Sequence, residues 1–135
     1  MRFAAVFIAL ALVACKPPAP TLDPAAEPIA RAFFDDVARG ADLDTQPHLA
    51  HELKNPTSEA QIAKFRSIIP ADAPRLIELK AWDAREDSTG VTTRLTEDYH
   101  YGDKVLVVQT ALFKSPSGVD PVIVGFQVTE ADGTG

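Results

Sequence analysis

Hydrophobic residues along this chain follow two periods, a helical one in the first half and a strand-like alternation in the second. Ile29, Phe33 and Val37 recur at intervals of four and predict the apolar stripe of a first helix. Asp23 is expected to cap this helix at or near its start, and Gly40 is a suitable place for it to end. The first half of the chain is therefore predicted to be helical.

Two further helices are expected before the period changes. Residues 47–53 predict a short second helix, which is broken by the Asn55-Pro56 pair. Ser58 and Gln61 have the spacing of a capping box and predict the start of a third helix. The apolar stripe of this third helix consists of Ile62, Phe65 and Ile69.

Alternating residues then predict four strands, over residues 77–82, 91–101, 104–114 and 122–129. Gly102 and Asp103 separate the second strand from the third and predict a type II′ hairpin turn. The third strand is apolar on both faces, which indicates an inner strand that is covered on both sides. The fourth strand is predicted to place Val122, Val124, Phe126 and Val128 on one face.

Helices followed by an antiparallel meander predict the α+β class, with the N-terminal helices packed on one face of a curved four-stranded sheet. The 135 residues suffice for one domain of this kind. Because the chain contains 1 cysteine, an internal disulfide is excluded. A formal net charge of −6 argues against a nucleic-acid partner, which requires clustered cations.

The single cysteine follows a segment that is typical of secretory signals. Arg2 precedes an unbroken apolar run over residues 3–13, which is too short to span a bilayer. The run ends in Leu12-Val13-Ala14-Cys15, which resembles the lipobox of bacterial lipoproteins. This resemblance implies that the signal is cleaved before Cys15 and that this residue is acylated. An ordinary cleaved signal, or a buried helix with a core cysteine, remains an alternative.

The resemblance to lipoproteins divides the chain into four parts. Residues 1–14 form the signal peptide, 15–22 the lipidated cysteine and proline-rich tether, 23–130 the single domain, and 131–135 a polar tail. Removal of the signal takes away Arg2 and no acidic residue, which leaves a net charge of −7. Lys16 after the cysteine resembles the outer-membrane class in a Gram-negative host, with the domain in the periplasm.

Two segments of the predicted sheet resemble a known superfamily. Residues 99–108 and 122–128 are similar to the last hairpin of small NTF2-like lipoproteins, and the order of helices and strands resembles the NTF2-like, cystatin-like superfamily. The resemblance implies helices packed on a curved sheet with a cone-shaped pocket between them. A strand before the third helix, usual in that superfamily, is not evident here. The superfamily includes enzymes, ligand carriers and interaction modules, so the fold does not select a function.

The best candidates for a ligand pocket are Glu97, Tyr99 and Tyr101, which alternation places on one face of the second strand. An isomerase-like enzyme would use Glu97 as its acid or base. Ordinary sheet aromatics are the simpler interpretation of the two tyrosines. His48 and His51 would share one side of a helix, but no recognised metal signature accompanies them, and we predict no metal or cofactor.

Two surface features complete the predictions. Arg31 and Asp35 are expected to form a solvated ion pair along the first helix. Trp82 is expected either in the core or in a contact patch with Leu106, Val108 and Ile123 on the second face of the sheet, where a protein partner or a second copy would bind.

The expected function is that of a lipid-anchored envelope protein that binds a partner and does not catalyse a reaction. One alternative is a small-ligand binder or an NTF2-like enzyme with its pocket near Glu97 and Tyr99. A further alternative is an immunity or inhibitor lipoprotein, whose acidity would favour a basic effector.

Overall fold

A computed structural model describes residues 20–131 of the chain. Two α-helices are present in this range, α1 over Ala26–Ala38 and α2 over Pro56–Ile68. Two single-turn 3₁₀ helices lie between them, at Leu43–Thr45 and His51–Leu53. The strands that follow are β1 (Leu76–Asp87), β2 (Gly90–His100), β3 (Val105–Lys114) and β4 (Val122–Glu130).

The four strands form one antiparallel sheet in the order β1-β2-β3-β4. Both α-helices pack against one face of this curved sheet, which confirms the predicted α+β class and is consistent with an NTF2-like fold. The elements follow the chain without a crossover because each strand is joined to the next by a short hairpin connection.

The first helix follows the predicted apolar stripe but begins three residues after Asp23. The side chain of Asp23 accepts a hydrogen bond from the Ala25 amide (2.9 Å), and its carbonyl accepts one from Ala26 (3.0 Å). These bonds form a turn before the helix, so Asp23 is not the N-cap that the sequence predicted. At the other end, Gly40 has a φ of +83°, which favours glycine as the stop.

The predicted helix over residues 47–53 is wrong. Ile123 of β4 donates its amide to the carbonyl of His48 (2.6 Å) and accepts a bond from Ala50 (2.9 Å). Leu49 thereby forms a parallel bridge with Ile123, and only residues 51–53 make a helical turn. The backbone groups of this segment are satisfied by the sheet and are not available for a local helix.

The second α-helix begins earlier than the predicted capping box. Asn55 is the N-cap, and its side chain accepts a hydrogen bond from the Ser58 amide (2.8 Å). Pro56 occupies the first turn, where a missing amide proton costs nothing. Ser58 therefore lies inside the helix, three residues before Gln61, with both side chains on one side.

Two bulges change which side chains face the helices. A bulge between Leu79 and Ala81 shifts the register of β1, so that Trp82 lies opposite Leu95 on the helix-covered face. Trp82 is 38% exposed at this edge of the sheet, while the partners predicted for it are all buried. The predicted contact patch on the second face is therefore wrong. Those buried partners are Leu106, Val108 and Ile123.

The second bulge lies in β4 and shifts the register at Val124. As a result Ile123, Phe126 and Val128 face the helices, whereas Val124 is 40% exposed. The prediction that four alternate residues share one face is wrong at this point. A single extra residue on one strand reverses the alternation for every residue on one side of it.

The helices cover only one face of β3, which contradicts the prediction that both faces are covered. Leu106, Val108 and Leu112 are buried beneath the helices, whereas Gln109 on the other face is exposed. We call this second side the uncovered face. The β2–β3 turn also differs from the type II′ prediction, because Gly40 and Gly90 are the glycines with positive φ within residues 20–131 and Gly102 is not among them.

Candidate ligand-binding site between the helices and the sheet

The buried carboxylate of Glu97 lies beneath α1 in the C-terminal half of β2. Glu97 is 1% exposed, and its Oε2 accepts a hydrogen bond from Arg31 Nε at 2.9 Å. The Arg31 guanidinium also contacts Glu27, one turn earlier on α1, and not Asp35 as the sequence predicted. Burial raises the pKa of the Glu97 carboxyl, and the contact with Arg31 opposes this rise.

The space around Tyr99 is filled by aromatic packing. The ring of Phe34 on α1 lies on Tyr99, with 4.1 Å between the ring centroids. Both rings are 1% exposed. Burial raises the pKa of Tyr101 to about 12 and moves that of Tyr99 in the same direction. The three residues predicted as a ligand pocket thus lie together, but α1 covers them.

Two polar atoms in this interior have no hydrogen-bond partner among the described residues. They are Glu97 Oε1 and Thr110 Oγ1. Glu97 lies opposite Val108 on β3, and Thr110 is two residues further along that strand, on the same face. Such atoms cost free energy in an apolar interior unless water or another group satisfies them. Glu97 therefore keeps one unpaired carboxylate oxygen in the interior beneath the helices, at a cost in free energy.

An open cavity lies further along the same interior, between α2, the 3₁₀ segments and β4. Its volume is about 270 Å³, and Phe126 lines it between two other phenylalanines. We call it the Phe126 cavity. Most of its lining is apolar, and none of the lining side chains is ionisable. The lining residues are Phe33, Leu43, Leu49, Leu53, Ser58, Gln61, Ile62, Phe65, Val124, Gly125 and Phe126.

Three phenylalanine rings shape the wall of this cavity. Phe33 and Phe126 meet edge to face, with centroids 4.9 Å apart and planes at 88°. Phe65 approaches Phe126 in a similar way, at 5.8 Å and 76°. Edge-to-face contacts fix the rings in place, so the cavity has a defined apolar wall.

The β4 bulge explains why sequence reasoning missed this site. It places Val124 at the cavity with its side chain partly exposed, and Gly125 beside it has no side chain to fill the space. The signal in the sequence is the Val124-Gly125 pair within a strand, since an isolated glycine there often marks a bulge. The Leu49–Ile123 bridge, which helps to enclose the cavity, has no such local signal.

His48 and His51 do not share one side of a helix, because His48 belongs to the segment that bonds to β4. Within residues 20–131 no three His, Cys, Asp or Glu side chains converge in a way that could hold a metal ion.

The uncovered face carries a shallow depression across all four strands. Asp83, Arg94, Ala111 and Gly125 lie opposite one another along one row of its floor. A second row contains Ala81, Thr96, Gln109 and Gln127. The depression is therefore more polar than the Phe126 cavity and contains side chains of both charges.

The lipobox at residues 12–15 lies outside the described residues, as do most of the tether and most of the polar tail. Neither helix within residues 20–131 is long and apolar enough to cross a membrane. The chain matches no protein-family model, and comparison with curated proteins and with solved structures finds no significant similarity.

Proposed function

We propose that this chain is a lipid-anchored binding domain of the bacterial cell envelope that does not catalyse a reaction. The observation that carries the proposal is the Phe126 cavity, an open and largely apolar space without an ionisable lining side chain. General acid–base chemistry needs a titratable group within hydrogen-bond reach of the substrate. This cavity can hold a molecule but offers no such group.

The isomerase-like alternative receives less support because of the surroundings of Glu97. The carboxylate is 1% exposed and is held by Arg31, while Phe34 covers the neighbouring Tyr99. A substrate would have to displace α1 from the sheet to reach the carboxyl. We therefore assign Glu97 a structural role, in which its bond to Arg31 joins α1 to the sheet.

The anchor is proposed from the sequence alone. Acylation at Cys15 would attach the domain to the membrane, and more than one acyl chain would make the attachment stable. Lys16 favours the outer membrane, with the domain facing the periplasm. Radiolabelled palmitate is expected to enter the wild-type protein and not Cys15→Ser. Equal labelling of both would disprove the anchor.

Catalysis can be tested separately from anchoring. Glu97→Gln keeps the size of the side chain and one oxygen that can accept from Arg31, and it removes the titration. If the purified protein converted a metabolite and this variant abolished the turnover, the non-catalytic proposal would be wrong. We expect no turnover that depends on Glu97.

A protein partner at the uncovered face is a second proposal, and it is supported by the depression there. Its two rows combine aliphatic and amide side chains with Arg94 and Asp83, a mixture typical of protein–protein interfaces. Ala111→Arg would fill the floor of the depression, and Ala60→Arg on the exposed side of α2 is the matched control. Sedimentation velocity and affinity capture from the envelope should show an association that only Ala111→Arg weakens. If both variants associate as the wild type does, this face is not the interface.

A further inference from the structure

We infer that the Phe126 cavity is selective for a neutral molecule with one apolar ring, or a short alkyl chain, and a single polar end group. This inference rests on the proposed binding function and specifies its ligand class. It follows from the size of the cavity, the chemistry of its walls and the position of its two polar side chains.

Size limits the ligand to a small molecule. The cavity measures about 270 Å³. An engineered apolar cavity of about 150 Å³ binds benzene, and drug-sized ligands occupy pockets of about 300 to 1,000 Å³. The Phe126 cavity therefore has room for one substituted ring, or for an alkyl chain of similar volume, but not for a fused multi-ring compound.

The walls exclude a charged ligand. Phe33, Phe65 and Phe126 form the aromatic side, and no lining side chain could neutralise a carboxylate or an ammonium group. A charged end group at the entrance would lose part of its hydration without gaining an ion partner, so it should bind more weakly than a neutral group of the same size. A neutral ligand does not have this cost in free energy, and its contact with the aromatic rings favours binding.

Two polar side chains on α2 define where the polar end of the ligand lies. Ser58 and Gln61 are three residues apart on one side of the helix, and both line the cavity. Ser58 is half-buried and Gln61 is exposed, which places them at the entrance. The Ser58 hydroxyl and the Gln61 amide can each donate or accept a hydrogen bond, so a hydroxyl, amide or ester group would suit this position.

Val124 forms the opposite part of the entrance. It is 40% exposed and lies on the β4 bulge, next to Gly125. An exposed apolar side chain at the edge of an apolar cavity extends the surface that a ligand can cover on entry. The ring or chain would then contact Phe126 while its polar end remained at α2.

Three probes of the same size test this selectivity. Benzyl alcohol is neutral, benzoate is an anion and benzylammonium is a cation. The full chain is purified from the envelope in lipid nanodiscs, with empty nanodiscs used to measure partition of the probe into lipid. Backbone amide NMR shifts of Val124 and Phe126 follow binding. We expect a dissociation constant of about 1 mM for benzyl alcohol, which is typical of an eight-atom ligand, and at least tenfold weaker binding of both ions.

Substitutions at the cavity then locate the site. Leu53→Trp should fill the space from the half-buried 3₁₀ segment and weaken benzyl alcohol at least tenfold. Leu76→Trp, at a position that is 53% exposed on β1, makes the same change in chemistry away from the cavity and should bind as the wild type does. If Leu53→Trp does not fold, Val124→Arg at the exposed entrance takes its place. This variant should also weaken the binding of benzyl alcohol at least tenfold.

The outcomes separate this inference from the proposed function. Equal binding of the ions and the alcohol overturns the ligand class, and binding that both Leu53→Trp and Val124→Arg leave unchanged overturns the assignment to the Phe126 cavity. Neither result contradicts the proposed binding function. If the full chain is recovered in soluble form without lipid, the proposed anchor is wrong. The same titration can then be carried out in buffer, where it still tests the cavity. Absence of any shift at Val124 and Phe126 with all three probes would contradict both.

Discussion

The interior between the helices and the sheet has two regions that differ in how completely side chains fill them. Around Glu97, an ion pair to Arg31 and the tilted packing of Phe34 against Tyr99 close the space. Around Phe126, three aromatic rings leave an open cavity of about 270 Å³. The polar region, which has the residue types of an active site, is therefore part of the core, whereas the apolar region is accessible.

The largest expected effect contrasts one phenylalanine from each region. Phe34→Ala removes a ring that is 1% exposed and should lower the free energy of unfolding by about 3 to 5 kcal/mol. Phe65→Ala removes a half-buried ring beside existing open space and should cost about 1.5 kcal/mol. Urea unfolding of both variants measures the difference. Equal losses would mean that the two regions are packed alike.

A smaller effect is expected when the ion pair is broken. Arg31→Ala leaves the Glu97 carboxylate buried without its partner and should cost about 2 kcal/mol, below the usual figure for a buried pair because the Arg31 side chain is 37% exposed. In a Glu97→Gln background the same substitution should cost much less. A double-mutant cycle provides the measurement, and a coupling energy near zero would show that the pair does not hold α1 to the sheet.

The pH dependence of stability should also reflect the burial of Glu97. This effect should be smaller than that of Arg31→Ala. Burial raises the pKa of Glu97 in the folded state, so the folded protein binds this proton more tightly than the unfolded chain does. The contribution of Glu97 to stability is therefore complete below its unfolded pKa, about 4.3, and is lost as the pH rises through its folded pKa. Wild type should gain stability relative to Glu97→Gln as the pH falls from 7 to 4.

Paired urea titrations at several pH values test this sign, because the other carboxyl groups are common to both proteins and cancel in the difference. A wild type that loses stability relative to Glu97→Gln on acidification would contradict it. That result would mean that the bond from Arg31 outweighs the desolvation of the carboxyl.

Much of the fold could be predicted from periodicity, and two of the errors share a cause. The stripe of Ile29, Phe33 and Val37 and the alternation around Tyr99 fix α1 and β2, because local spacing decides which side is apolar. The register shift after Leu79 depends on how two strands pair and has no local signal, whereas the shift at Val124 is marked only by Gly125 beside it. Those shifts account for the errors at Trp82 and on β4.

The candidate site was predictable only in part. Glu97 and Tyr99 were expected on one face, and they lie together there, but the covering ring of Phe34 comes from a distant element. The Phe126 cavity depends on the bulge at Val124 and on the bridge between Leu49 and Ile123. The bridge joins residues far apart in the chain and leaves no local pattern, and Gly125 is the one local sign of the bulge.

Xenon binding tests most directly whether the two regions differ as described, since xenon enters empty apolar cavities and no charge or hydrogen bond directs it. Methyl NMR of the full chain under xenon pressure should shift Leu53, Ile62 and Val124 at the Phe126 cavity. The methyl signals of Leu106 and Val108, which lie opposite Tyr99 and Glu97, should not shift. Shifts at Leu106 and Val108, with none at the cavity, would mean that the region around Glu97 is open and the region around Phe126 is filled.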